Sequence, residues 1–149
     1  MRRTTKEEYI ETIFALQKDG ERAQTGQIAQ RMDVKPPSVT EMLGKLQDEG
    51  LVNYEPYLGA ELTTKGKKLA TELVETHRVI SDFLEILGID KDMAEQDACI
   101  IEHHMSKESA QRLKMFVEFI QTAPKDPKWI ENFLLYCETG KRDDCRPED

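Results

Sequence analysis

Between Cys99 and His104 the chain places a thiol, a carboxylate and two imidazoles within six residues, among the apolar Ile100, Ile101 and Met105. On a helix, Cys99, Glu102 and His103 stand at i, i+3 and i+4, so one face presents sulfur, oxygen and nitrogen donors side by side. That is the donor chemistry of a transition-metal site. Each residue alone has an ordinary explanation: a helical cysteine is usually a small buried hydrophobe, a glutamate sits on the surface, and a histidine near a helix end meets the dipole. Taken together they resist it, because a buried face does not ordinarily collect a carboxylate and an imidazole beside a thiol. His104 points elsewhere on such a helix and reads as a supporting or surface residue.

Two further groups carry similar donors. Glu8 and Glu11 stand at i, i+3 near the start of the chain, although Thr5 and Glu8 also fit a capping box, in which the glutamate only bonds back to the Thr5 N–H. His77, close to Glu75 and Arg78, would by itself be a surface or core histidine. Nothing local joins these three to Cys99.

The elements that must position these groups follow from periodicity. Tyr9, Ile10, Ile13, Phe14 and Leu16 fall at helical spacing from Thr5 to Gln17, with Asp19-Gly20 as a stop. "TGQIAQRM" reads as a short helix behind a Thr25 cap, with Ile28, Ala29 and Met32 inward. A turn through Asp33, Val34 and Lys35 leads to a helix opened by proline, with Val39, Met42, Leu43 and Leu46 inward and Gly50 at its end. Two short helices joined by a tight turn match a helix-turn-helix. Leu51–Tyr54 and Ala60–Thr63, around a turn with Pro56 and Gly59, read as a hairpin, the wing. Such a module sets the N-terminal part of its second helix in the major groove, which makes Lys35, Pro37, Ser38, Thr40, Glu41 and Lys45 the expected DNA-contacting residues. Lys45 and the hydroxyls suit phosphates; Glu41 could accept from cytosine N4 or sit on a solvated flank.

Beyond the wing the pattern is helical throughout. A long helix from about Thr64 to Leu87 has Leu69, Leu73, Val74, Ile80, Phe83, Leu84 and Leu87 on its apolar side and Gly88 at its end. Further helices are expected from Asp90 or Lys91 to Met105, from Lys107 to Thr122, and within "PKWIENFLLYC" after Pro127. The wide apolar faces imply packing against one another and against a second subunit, most simply in a C₂ dimer. The fold class is mainly α: an N-terminal winged helix-turn-helix, residues 1–70, a helical dimerisation and metal-binding domain, residues 71–140, and an acidic tail, residues 141–149.

Bulk properties agree. A chain of 149 residues, 38% hydrophobic and 34% charged, suits one or two small domains and excludes a large multi-domain enzyme. No apolar run approaches the roughly 18 residues of a spanning helix, and "MRRTTKEEY" lacks the apolar stretch of a signal peptide, so the expected location is the cytoplasm, away from membranes. Cys99, Cys137 and Cys145, an odd and widely spaced set, do not form a disulfide framework. The net charge of −8 is unevenly distributed: residues 1–70 hold 11 basic and 11 acidic side chains, residues 71–149 hold 10 and 18. The acid excess lies wholly in the second half and leaves the first free to present a basic face to DNA.

"TTKEEYIETIFAL", "PPSVTEMLGKL", "LTTKGKKLA", "THRVISDFLEILGID" and "DACIIEHHMS", in that order and spacing, resemble the diphtheria-toxin-repressor family of metal-dependent transcriptional regulators, and most closely its short manganese-regulator branch. The resemblance covers residues 4–123. It implies metal ligands at Glu8, Glu11, His77, Cys99, Glu102 and His103, a homodimer through the second domain, and no SH3-like third domain. Two positions depart from the manganese pattern: Glu8 replaces a shorter aspartate and Cys99 a glutamate. Cysteine in "DAC-x-x-EH" belongs to the iron-responsive branch, so the set is a hybrid. Its glutamates suit Mn²⁺, whereas a thiolate and two imidazoles favour Fe²⁺, Co²⁺ or Zn²⁺; Mn²⁺ or Fe²⁺ is the expected signal.

The resemblance implies repression of metal-uptake genes, with dimers on double-stranded operator DNA when the ion is plentiful. The alternative is a thiol-based redox regulator acting through Cys99. Enzymatic chemistry is not expected, because the chain contains neither an H-E-x-x-H signature nor a nucleophile–base pair.

Overall fold

The computed structural model describes residues 5–17 and 20–142. Asp19, Cys145 and the expected tail from residue 143 onward lie outside them. Two units divide the chain, Met1–Glu75 and Thr76–Asp149.

In the first unit, α1 (Lys6–Leu16) starts at Thr5, which forms the full capping box with Glu8. The second helix, α2 (Thr25–Met32), is capped by Gln24 with Gln27 in reciprocal bonds; Thr25, the expected cap, is the first helical residue. The glutamine amide supplies both the acceptor and the reach of the usual hydroxyl cap. Asp33 in the left-handed conformation ends α2, and α3 (Pro36–Asp48) follows with prolines in its first turn, where no intrahelical N–H is needed. The three helices contribute Ile10, Ile13, Ile28, Val39, Leu43 and Leu46 to one fully buried core.

The wing consists of β1 (Val52–Glu55) and β2 (Gly59–Leu62), antiparallel, with Val52 opposite Leu62 and Tyr54 opposite Ala60. Each strand is offset by one residue from its expected span. Side-chain acceptors hold the hairpin: Gln47 Oε1 takes the Tyr54 N–H at 3.2 Å and Gln17 Oε1 the Leu62 N–H at 2.9 Å. Ala23 adds a two-bond bridge to Ala60, and an added Cβ at Gly59, φ +98°, would lie 2.5 Å from the Ala23 carbonyl oxygen. Only glycine satisfies both the backbone angle and that approach.

The linker helix α4 (Thr64–Ile86) begins at Thr63, whose hydroxyl accepts the Gly66 N–H at 3.1 Å and donates to the Gly50 carbonyl at 2.6 Å. Ala70 and Leu73 join the core of the first unit. Val74, expected inward, is 48% exposed, because the buried stripe passes through Leu73 and leaves its neighbour on the flank.

In the second unit, residues 76–86 of α4 are joined by α5 (Lys91–Ile101), α6 (Lys107–Gln121) and α7 (Lys128–Thr139). Asp90 caps α5 through the Asp92 and Met93 N–H groups, and Ser106 caps α6 through that of Ser109. Val79, Ile80, Ala94, Ala98, Val117 and Ile120 are buried. Phe83 meets Phe116 edge to face and Phe116 meets Trp129 at a tilt, with ring centroids 6.2 and 6.4 Å apart. α5 ends at Ile101, earlier than the expected Met105: Glu102 is its C-terminal cap residue and His103–Met105 form a turn. The helix that was to present Glu102 and His103 therefore releases them at its end.

Candidate metal centre and nucleic-acid interface

Within the second unit, a cluster of chemical groups forms where α4 meets the C-terminal end of α5. His77, from α4, directs Nδ1 to Glu102 Oε2 at 2.8 Å and Nε2 to Glu95 Oε2 at 2.6 Å. His103 Nε2 lies 3.1 Å from Glu102 Oε1, so the Glu102 carboxylate is held between two imidazoles. Its side chain is only 2% exposed. Cys99 Sγ lies 3.9 Å from His77 Nδ1, on the same side of the ring as Glu102. Glu95 Oε1 accepts from the Ser81 hydroxyl at 3.2 Å.

A carboxylate removed from water requires charged or strongly polar partners, and here the partners are imidazoles, side chains able to bind a metal. Oxygen from Glu102, nitrogen from His77 and His103 and sulfur from Cys99 converge within one unit, and this donor set fits a divalent transition ion. The hydrogen bond from the His77 imidazole holds the Glu95 carboxyl below the usual carboxylate range; partial burial opposes this, and the Ser81 hydroxyl reinforces it.

His77, Cys99, Glu102 and His103 thus lie together in this unit. His104 is exposed. Glu95 was not anticipated. It precedes Cys99 by four residues and Glu102 by seven, so the stripe Glu95, Cys99, Glu102 was available as a signal. Among 18 acidic residues in the second half, it was not distinctive.

Glu8 and Glu11 lie on α1 in the first unit, both partly buried. Glu8 Oε2 accepts the Thr5 N–H at 2.9 Å, so its helix-capping role is realised.

On the same unit, Lys35, Pro37, Ser38, Thr40, Glu41 and Lys45 are all exposed along the first turns and outer face of α3. Glu41 pairs with Lys45 at 3.4 Å, which places the carboxylate on the flank beside a cation. The Thr40 hydroxyl donates to the Pro36 carbonyl at 3.3 Å. The start of α2 and the wing add a feature the sequence reading missed: Gln24, Thr25 and Gly26 with Tyr54, Pro56, Tyr57 and Gly59 line an open cleft of about 490 Å³. Tyr57, fully exposed at the wing tip, has φ +70°, an unusual conformation for a bulky residue.

A winged helix-turn-helix followed by a helical unit with an O, N and S donor cluster defines a metal-responsive DNA-binding regulator. Residues 1–60 match the iron dependent repressor N-terminal DNA binding domain, and residues 63–131 its metal binding and dimerisation domain. The chain belongs to the iron dependent repressor family; it is a metal-dependent transcriptional regulator and not an enzyme.

Similar proteins include an HTH-type transcriptional regulator of Methanocaldococcus jannaschii, 42% identical over 114 residues, which cover 75% of this chain and 91% of that protein. The HTH-type transcriptional regulator MntR of Bacillus subtilis is 38% identical over 128 residues, 84% of this chain and 90% of that one. Among solved structures, the manganese regulator SloR superposes with a TM-score of 0.68 at 35% identity, over 83% of this chain. The chain spans 58% of the length of SloR. The thiol-based redox alternative finds no support in this kinship. Among the described residues no helix is long and apolar enough to cross a membrane.

Proposed function

We propose that this protein represses metal-uptake genes by binding operator DNA as a homodimer when loaded with Mn²⁺ or Fe²⁺. The observation that carries the reading is the buried Glu102 carboxylate held between His77 and His103, with the Cys99 thiol beside the His77 ring. A bound divalent ion supplies positive charge and a fixed coordination geometry. His77 and His103 donate ring nitrogens, Glu102 a carboxylate that balances the ion's charge in a dry setting, and Cys99 a thiolate. The family resemblance adds the carboxylates of Glu8 and Glu11. Glu8 then either gives up its bond to Thr5 or uses its second oxygen.

On DNA, Lys35 and Lys45 neutralise phosphates, Ser38 and Thr40 place hydroxyls at the groove, Pro37 contacts a base edge, and Glu41 sets the direction of Lys45. Tyr57 extends the contact to the backbone from the wing. Two such units in a dimer read half-sites about 34 Å apart. Metal and DNA tighten each other's binding by the same factor, because linkage is reciprocal. Binding of the reduced, chelator-treated protein to its own upstream DNA, followed by anaerobic fluorescence anisotropy at fixed salt, tests this. Strong activation by Mn²⁺ or Fe²⁺ is expected; tight binding indifferent to both ions would overturn the reading.

A further inference from the structure

His77 stands between two carboxylates, one at each ring nitrogen, and this arrangement poses a question that the ligand set alone leaves open. Nδ1 faces Glu102 and the Cys99 sulfur, at 2.8 and 3.9 Å. Nε2 faces Glu95 at 2.6 Å. A neutral imidazole carries one proton, and only the nitrogen without it can donate a lone pair to a cation. The side of the ring on which that proton sits therefore decides whether His77 is a ligand toward the Glu102 and Cys99 donors.

We propose that Glu95 is a positioning residue for the metal centre: it holds the His77 proton on Nε2 and so directs the Nδ1 lone pair at the ion. Glu95 is well placed for this. Its Oε1 is anchored by the Ser81 hydroxyl at 3.2 Å, one helical turn beyond His77 on α4, which leaves Oε2 aimed at the ring. Backbone order enforces the pairing from both sides. His77 and Ser81 are i and i+4 on α4; Glu95 and Cys99 are i and i+4 on α5, so the turn of α5 that precedes the thiol delivers the carboxylate to the far side of the ring. The Glu95 side chain is 49% exposed and the Glu102 side chain 2% exposed. The accessible carboxylate thus orients the ring, and the buried one lies on the metal-facing side. A carboxylate behind a ligating imidazole fixes its tautomer and raises its basicity, and loss of such a partner typically weakens metal affinity roughly 10- to 100-fold.

The inference rests on the proposed metal site, and the experiment separates the two. In the full-length reduced protein, ¹⁵N shifts of the His77 ring would be recorded for the apoprotein at mildly alkaline pH and for the Zn²⁺-loaded protein, in wild type, Glu95→Ala, Glu95→Gln and Ser81→Ala. Zn²⁺, Mn²⁺ and Co²⁺ affinity and stoichiometry would be measured by calorimetry. Wild type is expected to keep Nε2 protonated in both states, with Nδ1 exchanging its Glu102 contact for the ion on loading. Glu95→Ala should lose that preference and bind each ion roughly 10- to 100-fold more weakly at unchanged stoichiometry. Glu95→Gln, which keeps a carbonyl acceptor, should recover most of both, and Ser81→Ala should fall between.

An unchanged tautomer and affinity in Glu95→Ala would overturn the proposal. So would loss of a whole equivalent of ion that Gln does not rescue, since Glu95 would then be a ligand itself. If wild type binds no ion, the metal reading fails. The apoprotein tautomer still reports whether Glu95 sets the proton.

Discussion

Replacing Glu102 by glutamine separates two roles that the buried carboxylate plays. In the absence of metal, the ionised group has lost nearly all contact with water and is compensated by His77 Nδ1 at 2.8 Å and His103 Nε2 at 3.1 Å. Glutamine has the same shape, so its carbonyl can accept from one imidazole and its amide donate to the other. Two bonds to a charged group, about 1.5–3 kcal/mol each, become neutral ones of about 0.5–1.5 kcal/mol. Against that loss, the cost of holding a carboxylate out of water, several kcal/mol, disappears. The two effects are of similar size and opposite sign, so the apoprotein should melt within a few degrees of wild type.

The metal-loaded protein should behave differently. An ion present at 100 times its dissociation constant stabilises the folded chain by about 2.7 kcal/mol. For a protein of this size that corresponds to a rise of about 5 to 10 °C in Tm. Glu102→Gln exchanges an anionic ligand for a weak neutral one, and this rise should vanish. Far-UV circular dichroism melts under anaerobic conditions, with chelator and with saturating Mn²⁺ or Fe²⁺, make the comparison directly. A variant that melts like wild type without metal and still gains the full shift with it would refute the placement of Glu102 at the centre.

Other expectations test other parts of the molecule. Lys35→Ala should weaken DNA binding about equally across sequences and reduce the slope of log affinity against log salt by about 1, read from anisotropy titrations at several salt concentrations; an unchanged slope would remove Lys35 from the phosphate contacts. Gly66→Ala would set a methyl 2.1 Å from the Leu51 carbonyl oxygen. The gain in helix propensity, about 1 kcal/mol, is outweighed by a backbone clash of about 1–3 kcal/mol, so urea denaturation should show net destabilisation. Phe119, 73% exposed on α6, is an apolar side chain within the stretch that matches the dimerisation domain; Phe119→Glu should shift sedimentation from dimer toward monomer while helicity is retained.

The parts of this protein legible in its sequence are those set by short-range physics. The Thr5–Glu8 capping box, the prolines opening α3 and the glycine ending α4 all follow from backbone groups within four residues, and each is found. The wing strands were placed within one residue of their bounds, but the side chains that hold them, Gln17 and Gln47, lie outside the strands and were not anticipated. Among the proposed metal ligands, Cys99, Glu102 and His103 stood out because they are neighbours on one segment. His77 was joined to them by family resemblance, since the stretch between it and Glu102, 25 positions on, contains a helix end and a turn. Glu95 was missed by both routes, and the physical reason is instructive. A glutamate on an acidic helix carries no mark of its partner; only the meeting of α4 and α5 turns it from a solvated charge into the partner of one nitrogen of the His77 ring. The donor atoms of such a site are chosen by residue type, which a sequence displays. The protonation state that lets them act is chosen by what stands behind them, which only the packing of two helices reveals.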